Sequence, residues 1–143
     1  MMFALLTLQS AIACGPYGGF AMSDDGAWAY ENDDVITVYS ADGERLDLPI
    51  YGELVDMDFV GDELVVAYLE KTGSFAVLFD ADGVEVADWS PNNSAQTIGN
   101  IMVLPRGLMV TTTLDGYRTR VRLTDDLELD RQRGARTGGF QRP

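Results

Sequence analysis

Apolar and polar side chains alternate over short segments of this chain, and the segments are separated by corners rich in glycine or aspartate. Val55, Met57 and Phe59 alternate with two aspartates, so the three apolar side chains are expected to share one inward face. In residues 117–123, neutral or apolar side chains alternate with arginines in the same way. A period of two residues is typical of a β-strand that has one apolar and one polar face, so both segments are predicted to be strands.

Two further segments, residues 64–69 and 75–79, are apolar throughout. Continuous apolar character over so short a length is typical of strands that are covered on both faces. No stretch of the chain has a convincing period of 3.6 residues, and the apolar segments are rich in β-branched and aromatic residues. The pattern therefore predicts an all-β fold with very little helix.

The strand pattern occurs three times, with a spacing of about 40 residues. Ala41-Asp42-Gly43 recurs as Ala81-Asp82-Gly83, and a weaker version of this corner stands at Asp125-Asp126. Glycine adopts a positive φ at low cost and aspartate closes a turn through its side chain, so these are predicted hairpin corners. The chain thus divides into three four-stranded antiparallel units, at about residues 18–52, 53–92 and 95–131.

Four antiparallel strands in a unit of this length resemble a β-propeller blade, of the loosely conserved kind common in extracytoplasmic bacterial proteins. The resemblance covers about residues 18–131 and rests on the repeat length and on the placement of the corners. It implies a propeller-like or partial propeller fold. Propellers close with four to eight blades, so three units imply an open array, copies that assemble, or part of a larger ring. A curved three-sheet array and a β-sandwich are the structural alternatives.

The N-terminus carries a short apolar run that ends in Ala11-Ile12-Ala13-Cys14. The run is too short to cross a bilayer but suits the core of a signal peptide. Its end resembles the cleavage box of bacterial lipoproteins, which implies lipidation at Cys14 and attachment to a membrane there. The alternative is an apolar first strand or arm packed on the core, with Cys14 as an ordinary buried thiol. The predicted organisation is a leader at 1–14, a β-repeat domain at 15–131 and a flexible basic tail at 132–143.

The charge of −13 is unevenly distributed. Residues 1–105 contain 18 acids and two basic residues, whereas residues 106–143 contain eight arginines and five acids. An acidic body repels phosphate backbones, so no binding of nucleic acid is expected. The chain has no histidine, which excludes Ser-His-Asp and Cys-His catalysis as well as zinc sites with histidine ligands. No cofactor is predicted.

Acidic residues cluster around Gly61-Asp62, the first predicted turn of the second unit. Asp56 and Asp58 are two residues apart on one strand, which separates them by about 6–7 Å. That spacing suits a pair of glycosidase carboxylates or, if the strand bends, a divalent cation. The alternative is a solvated face that keeps the protein soluble. The cluster consists of Glu53, Asp56, Asp58, Asp62 and Glu63.

Arg118, Arg120 and Arg122 form a stripe on one face of a predicted strand. Guanidinium groups about 7 Å apart repel one another unless something anionic faces them. They are therefore candidates for binding a partner, together with Asp56 and Asp58. The alternative is an edge strand whose charges discourage unwanted pairing with other sheets.

The corner Asp80-Ala81-Asp82-Gly83 has some resemblance to a calcium loop. An EF-hand loop needs glycine at its sixth position and glutamate at its twelfth. Counted from Asp80, the glycine here is fourth and no glutamate stands twelfth, which favours a plain hairpin turn. No metal site is predicted.

The predicted function is that of a non-enzymatic binding or scaffold module outside the cytoplasm, in the periplasm, in the outer membrane or at the cell surface. Its expected partner is another protein or a second copy of the chain. Two alternatives are left open by the sequence. One is a hydrolase that uses Asp56, Asp58 or Asp62, and the other is a structural subunit that assembles by placing its acidic body against its arginine end.

Overall fold

Residues 19–130 are described by a computed structural model, and they form eleven β-strands in three antiparallel sheets. The all-β prediction is confirmed, because this part of the chain contains no helix, and therefore none long and apolar enough to cross a membrane. Neighbours in each sheet are neighbours in sequence. Sheet 1 contains β1 (Phe20–Met22), β2 (Trp28–Asn32), β3 (Val35–Tyr39) and β4 (Arg45–Pro49). Sheet 2 contains β5 (Glu53–Val60), β6 (Glu63–Glu70), β7 (Gly73–Phe79) and β8 (Glu85–Trp89). Sheet 3 contains β9 (Thr97–Val103), β10 (Leu108–Leu114) and β11 (Tyr117–Leu123).

Sheet 3 has three strands where the sequence pattern predicts four. The segment expected to form its last strand makes one isolated antiparallel bridge, between Leu129 and Leu123 of β11. The corner before it is formed all the same, with the Leu127 N–H donating to the Thr124 carbonyl over 3.0 Å. The third unit therefore turns back as predicted but pairs at a single position.

Four corners of the fold have the same five-residue geometry. In each, the backbone N–H of the first residue donates to the carbonyl of the fifth over 2.7–2.9 Å. A side-chain oxygen of the first residue accepts the N–H of the fifth in return. The fourth residue has a positive φ. The first residues are Ser23, Ser40, Asp80 and Thr124, and the fourth residues are Gly26, Gly43, Gly83 and Leu127.

Sheet 2 lies between the other two sheets, and its strands contribute to two separate hydrophobic cores. In β6, Leu64, Val66 and Tyr68 pack toward sheet 1, while Val65 and Ala67 pack toward sheet 3. The side chains of β7 alternate in the same way. This explains why β6 and β7 are apolar throughout, as expected of strands that are covered on both faces.

The first strand of each sheet lies next to the first strand of the following one. β1 contacts β5, and β5 contacts β9. A bulge in β5 between Leu54 and Asp56 alters the expected pattern at this point. Met57 and Phe59 face sheet 1 as predicted, but Val55 packs with the core between sheets 2 and 3. The expectation that Val55 shares their face is wrong, because the extra residue of a bulge interrupts the alternation.

Candidate functional site

The outer face of sheet 3, which points away from sheet 2, carries the predicted arginine stripe. Leu108, Val110 and Leu123 are buried against sheet 2, so the residues between them point outward. Pairing between β10 and β11 places Arg118 opposite Thr113, and Arg120 opposite Thr111. The same face holds a shallow cavity of about 860 Å³. We call this surface the arginine face; it consists of Asn100, Met102, Met109, Thr111, Thr113, Arg118, Arg120 and Arg122.

The three arginines differ in their surroundings. Arg122 lies 3.5 Å from Asp130 through its Nε, and a terminal nitrogen donates to the Arg106 carbonyl over 3.5 Å. Arg118 and Arg120 are exposed and form no ion pair with any residue in 19–130. They are the two cations of the stripe that remain available to a partner. β11 is also the edge strand of its sheet, so protection against unwanted pairing is compatible with the same placement.

The outer face of sheet 1 carries a cluster of aromatic rings. Trp28 stacks on Tyr30 at a centroid distance of 5.4 Å and on Tyr39 at 4.9 Å. Phe20 lies 6.3 Å from Trp28 on the same face. We call this surface the aromatic face; beside the four rings it includes Met22, Arg45 and Asp47.

Sequence reasoning did not find the aromatic face. Its signal is present in β2, where Trp28 and Tyr30 alternate with a buried alanine. What gives the rings a common surface is the pairing of Trp28 with Tyr39 across β2 and β3, and of Tyr30 with Phe20 across β1 and β2. A comparison of register across the corners would have been needed to see it.

Asp56 ties sheet 2 to sheet 3. One of its carboxylate oxygens accepts the Met57 N–H over 2.9 Å, and the other accepts the N–H of Ile101 in β9 over 2.8 Å. The side chain is half-buried and reaches β9, so the solvated face that the sequence offers as an alternative does not describe Asp56. Burial raises the pKa of Asp56, and the two hydrogen bonds oppose that rise. Both oxygens are engaged within the fold, and Asp56 therefore acts as a structural link.

Asp58 lines a cavity of about 750 Å³ where the first corners of the three sheets meet. It is half-buried, and one of its oxygens accepts the Phe59 N–H over 2.8 Å. Burial raises its pKa, and the negative charge of Asp24 raises it further. We call this site the acidic cavity; its walls include Met22, Asp24, Asp25, Asp58, Phe59, Asp62, Leu104 and Pro105.

Glu63 and Glu53 lie apart from the acidic cavity. Burial raises the pKa of Glu63, and nearby aspartates of the corners raise it further. Glu53 begins β5 and is exposed. The five acids of the predicted cluster are thus distributed along β5 and its corner rather than gathered around one point.

The candidate calcium loop is a closed turn. The Asp80 carboxylate accepts the N–H groups of Asp82 and Val84, each over 2.9 Å, through the same oxygen. Ser40 and Thr124 occupy the same position in the equivalent corners, where a side-chain hydroxyl accepts the backbone N–H instead. No group of three acidic side chains within residues 19–130 is arranged to hold a metal ion.

Three predictions concern residues outside the described range 19–130. These are the leader at 1–14 with lipidation at Cys14, and the basic tail at 132–143. A comparison with protein-family models and with curated protein sequences finds no match for this chain. The proposals below therefore depend on the geometry and chemistry of the described residues.

Proposed function

We propose that this chain is a non-enzymatic binding or scaffold module that works outside the cytoplasm and holds a protein partner on its arginine face. Arg118 and Arg120 carry the proposal. Each has an exposed guanidinium group without an ion pair in residues 19–130, and both border the cavity on sheet 3. Arginine and methionine are enriched in the cores of protein interfaces, and the arginine face contains both.

A propeller-like arrangement of the sheets accounts for the exposure of this face. In a propeller, each sheet packs face to face on the next, and the first strands line the centre. The contacts of β1 with β5 and of β5 with β9 fit that order, as do the two cores on either side of sheet 2. Sheets 1 and 3 then each have one face that no strand in 19–130 covers.

The hydrolase alternative has weaker support. It requires two carboxylates with separated pKa values in one cleft. Asp56 has both oxygens committed to backbone N–H groups. Asp58 and Asp62 both line the acidic cavity, but Asp62 is exposed, whereas Asp58 is half-buried and its pKa is raised by burial. A binding role needs no such pair.

Cross-linking in cells tests the proposal. A photo-reactive amino acid at position 111, in the centre of the arginine face, is expected to give a discrete cross-linked product in the membrane or periplasmic fraction. The product should disappear when Arg118 and Arg120 are both replaced by glutamate. The matched control is position 86 on β8, because Val86 is 49 % exposed and lies on another sheet. Equal labelling at both positions, or none at position 111, would contradict the proposal.

The mass of the chain recovered from the same fraction tests the compartment. A lipoprotein leader predicts loss of residues 1–13 and a lipid on Cys14. An unmodified chain that is recovered only from the cytoplasm would rule out this part of the proposal.

A further inference from the structure

We infer that the partner on the arginine face is a second copy of this chain, which presents its aromatic face. The inference rests on the proposed function and specifies its partner. Both faces belong to the ends of one stack of sheets, since sheet 2 covers the other sides of sheets 1 and 3. A head-to-tail contact between two copies would cover both faces at once.

The two faces have the composition of the core of a protein interface. Such cores are enriched in tyrosine, tryptophan, phenylalanine, methionine and arginine. The aromatic face offers four stacked or tilted rings, and the arginine face offers Met102, Met109 and two available guanidinium groups. Arginine stacks favourably on aromatic rings, and methionine sulfur also packs well against them. The aromatic face supplies the rings, and the arginine face supplies guanidinium groups without an ion pair in residues 19–130, whereas Arg45 of the aromatic face is already paired with Asp47.

The positive charge of the arginine face is opposite in sign to the net charge of the other end of the stack. Residues 19–52, which include sheet 1, contain eight acids and one arginine. Their aspartates border the aromatic face at its corners, as Asp33 and Asp34 do at the β2–β3 hairpin. Residues 97–130 contain four arginines and five acids, and three of these arginines are on the outer face of sheet 3. Arg118 and Arg120 would thus approach the more acidic end of the partner copy.

The order of strands inside one copy indicates how the contact is aligned. First strands lie side by side at both internal junctions, so β9 of one copy is placed beside β1 of the next. This alignment sets β10 and β11 over β2 and β3. Met109 then lies near Trp28, and Arg120, which is opposite Thr111, lies near Tyr30 and Asp47.

The number of copies follows from the number of sheets. Sheets that pack face to face around an axis close into rings of about four to eight. Copies with three sheets each give totals of three, six or nine, and of these only six is in that range. Two copies related by a two-fold axis would therefore form a closed ring, with two identical head-to-tail contacts.

Sedimentation velocity of the full chain tests the inference at about 0.15 M salt, which screens the long-range repulsion between two acidic copies. A single species of twice the 15.6 kDa chain mass is expected. Arg120→Glu and Tyr30→Arg should each raise the dissociation constant at least about tenfold, as is typical of central interface residues. Arg106→Glu is the matched control, because Arg106 is exposed at a corner outside the arginine face and should leave the mass unchanged.

Mixing the two variants distinguishes a head-to-tail contact from loss of folding. In a mixed pair, one contact is unaltered, and the other joins the introduced acid to the introduced base. Association should therefore return in the mixture although each variant alone is monomeric. Variants that fail to fold would not be rescued, and urea unfolding of each variant checks this separately.

Two outcomes would overturn the inference. One is a chain that stays monomeric at concentrations up to about 100 µM, at which a dimer with a dissociation constant of about 10 µM would be mostly formed. The other is a dimer that either variant leaves intact. A monomer that still gives the cross-link from position 111 would leave the proposed function in place with a different partner protein. A monomer without that cross-link would contradict both.

Discussion

Leu127 departs from the rule that the other three five-residue corners follow. Three of the four equivalent corners have glycine at the position with positive φ, but the corner after β11 has Leu127 there, with a φ of 63°. Its side chain is 2 % exposed and belongs to the core between sheets 2 and 3. A left-handed backbone costs a non-glycine residue roughly 1–2 kcal/mol. Burial of a leucine side chain stabilises the fold by about the same free energy or more, and this explains why leucine is tolerated at this position.

We predict that Leu127→Gly destabilises the protein less than Leu127→Ala. Both substitutions remove the buried carbons beyond Cβ, at a cost of about 2–5 kcal/mol. Only glycine also relieves the backbone, so the glycine variant should be more stable than the alanine variant by about 1 kcal/mol. The free energy of unfolding in urea measures the difference.

Leu108 provides the control for this prediction. It is fully buried in the same core, but it lies in the extended strand β10 and has no positive φ. Leu108→Gly should therefore be less stable than Leu108→Ala, by about 0.5–1 kcal/mol. The same order at both positions would show that the backbone conformation of Leu127 is not a source of strain.

Strand β5 carries two carboxylates with different roles. Asp56 uses both oxygens to accept backbone N–H groups, one of them from β9. Asp58 uses one oxygen for the Phe59 N–H and stands near the negative charge of Asp24 in the acidic cavity. The Asp56 carboxylate links two sheets. The Asp58 carboxylate is half-buried, and its one backbone hydrogen bond only partly offsets the free-energy cost of burying its charge.

We predict that Asp58→Asn stabilises the fold at pH 7, by about 0.5 kcal/mol, the usual limit for substitutions outside the core. Asparagine keeps the acceptor for Phe59 and removes a charge whose pKa is raised by burial and by Asp24. Because the pKa is higher in the folded state, the wild-type protein gains stability as pH falls through that pKa toward the unfolded value of about 3.9. The advantage of the variant should therefore shrink between neutral pH and about pH 4. Urea unfolding across this range measures it.

Asp56→Asn is the matched control on the same strand face. Asparagine has one acceptor oxygen, so its amide nitrogen would face the N–H of either Met57 or Ile101. An unsatisfied half-buried donor costs about 1–3 kcal/mol, and this variant should be less stable than wild type at pH 7. A gain in stability for both variants would mean that the link to β9 contributes little.

The strands show which features of the fold the sequence pattern can predict and which it cannot. Alternation predicted a strand at residues 117–123, and β11 is observed at Tyr117–Leu123. The bulge in β5 was not predicted, because it depends on which residues of β6 pair with Leu54 and Asp56. The single bridge at Leu129 was not predicted either. The local pattern, two leucines on either side of a glutamate, is the same whether the segment forms a full strand or makes one bridge.

The candidate site was predicted in part, for the same reason. The arginine stripe depends only on alternation within β11, and it is found on one face. The aromatic face depends on register between three strands, and the exposure of Asp56 depends on where β9 lies. Contacts between elements distant in sequence have no local signal, so these features emerge only from the fold.

At the scale of the whole molecule, the chain resembles a short linear array. Within residues 19–130, sheet 1 and sheet 3 share no core, and each is held by sheet 2 through a separate set of buried side chains. In such arrays, stability is close to a sum of unit and nearest-neighbour terms. Sheet 2 has two neighbours within the described residues, and its β6 and β7 are buried on both sides. Sheets 1 and 3 should therefore open locally more often than sheet 2.

We predict that amide hydrogen exchange is slowest in β6 and β7, and that core truncations in the outer sheets act on one side only. Ile36 of sheet 1 and Leu108 of sheet 3 are both fully buried, in different cores. Ile36→Ala should lower the opening free energy of sheet 1 by about 2–5 kcal/mol and change that of sheet 3 by less than about 0.5 kcal/mol. Leu108→Ala should have the reverse effect, because its cavity lies between sheets 2 and 3. If either variant reduced protection equally in all three sheets, the chain would be one cooperative unit, and the two cores would not act as independent junctions.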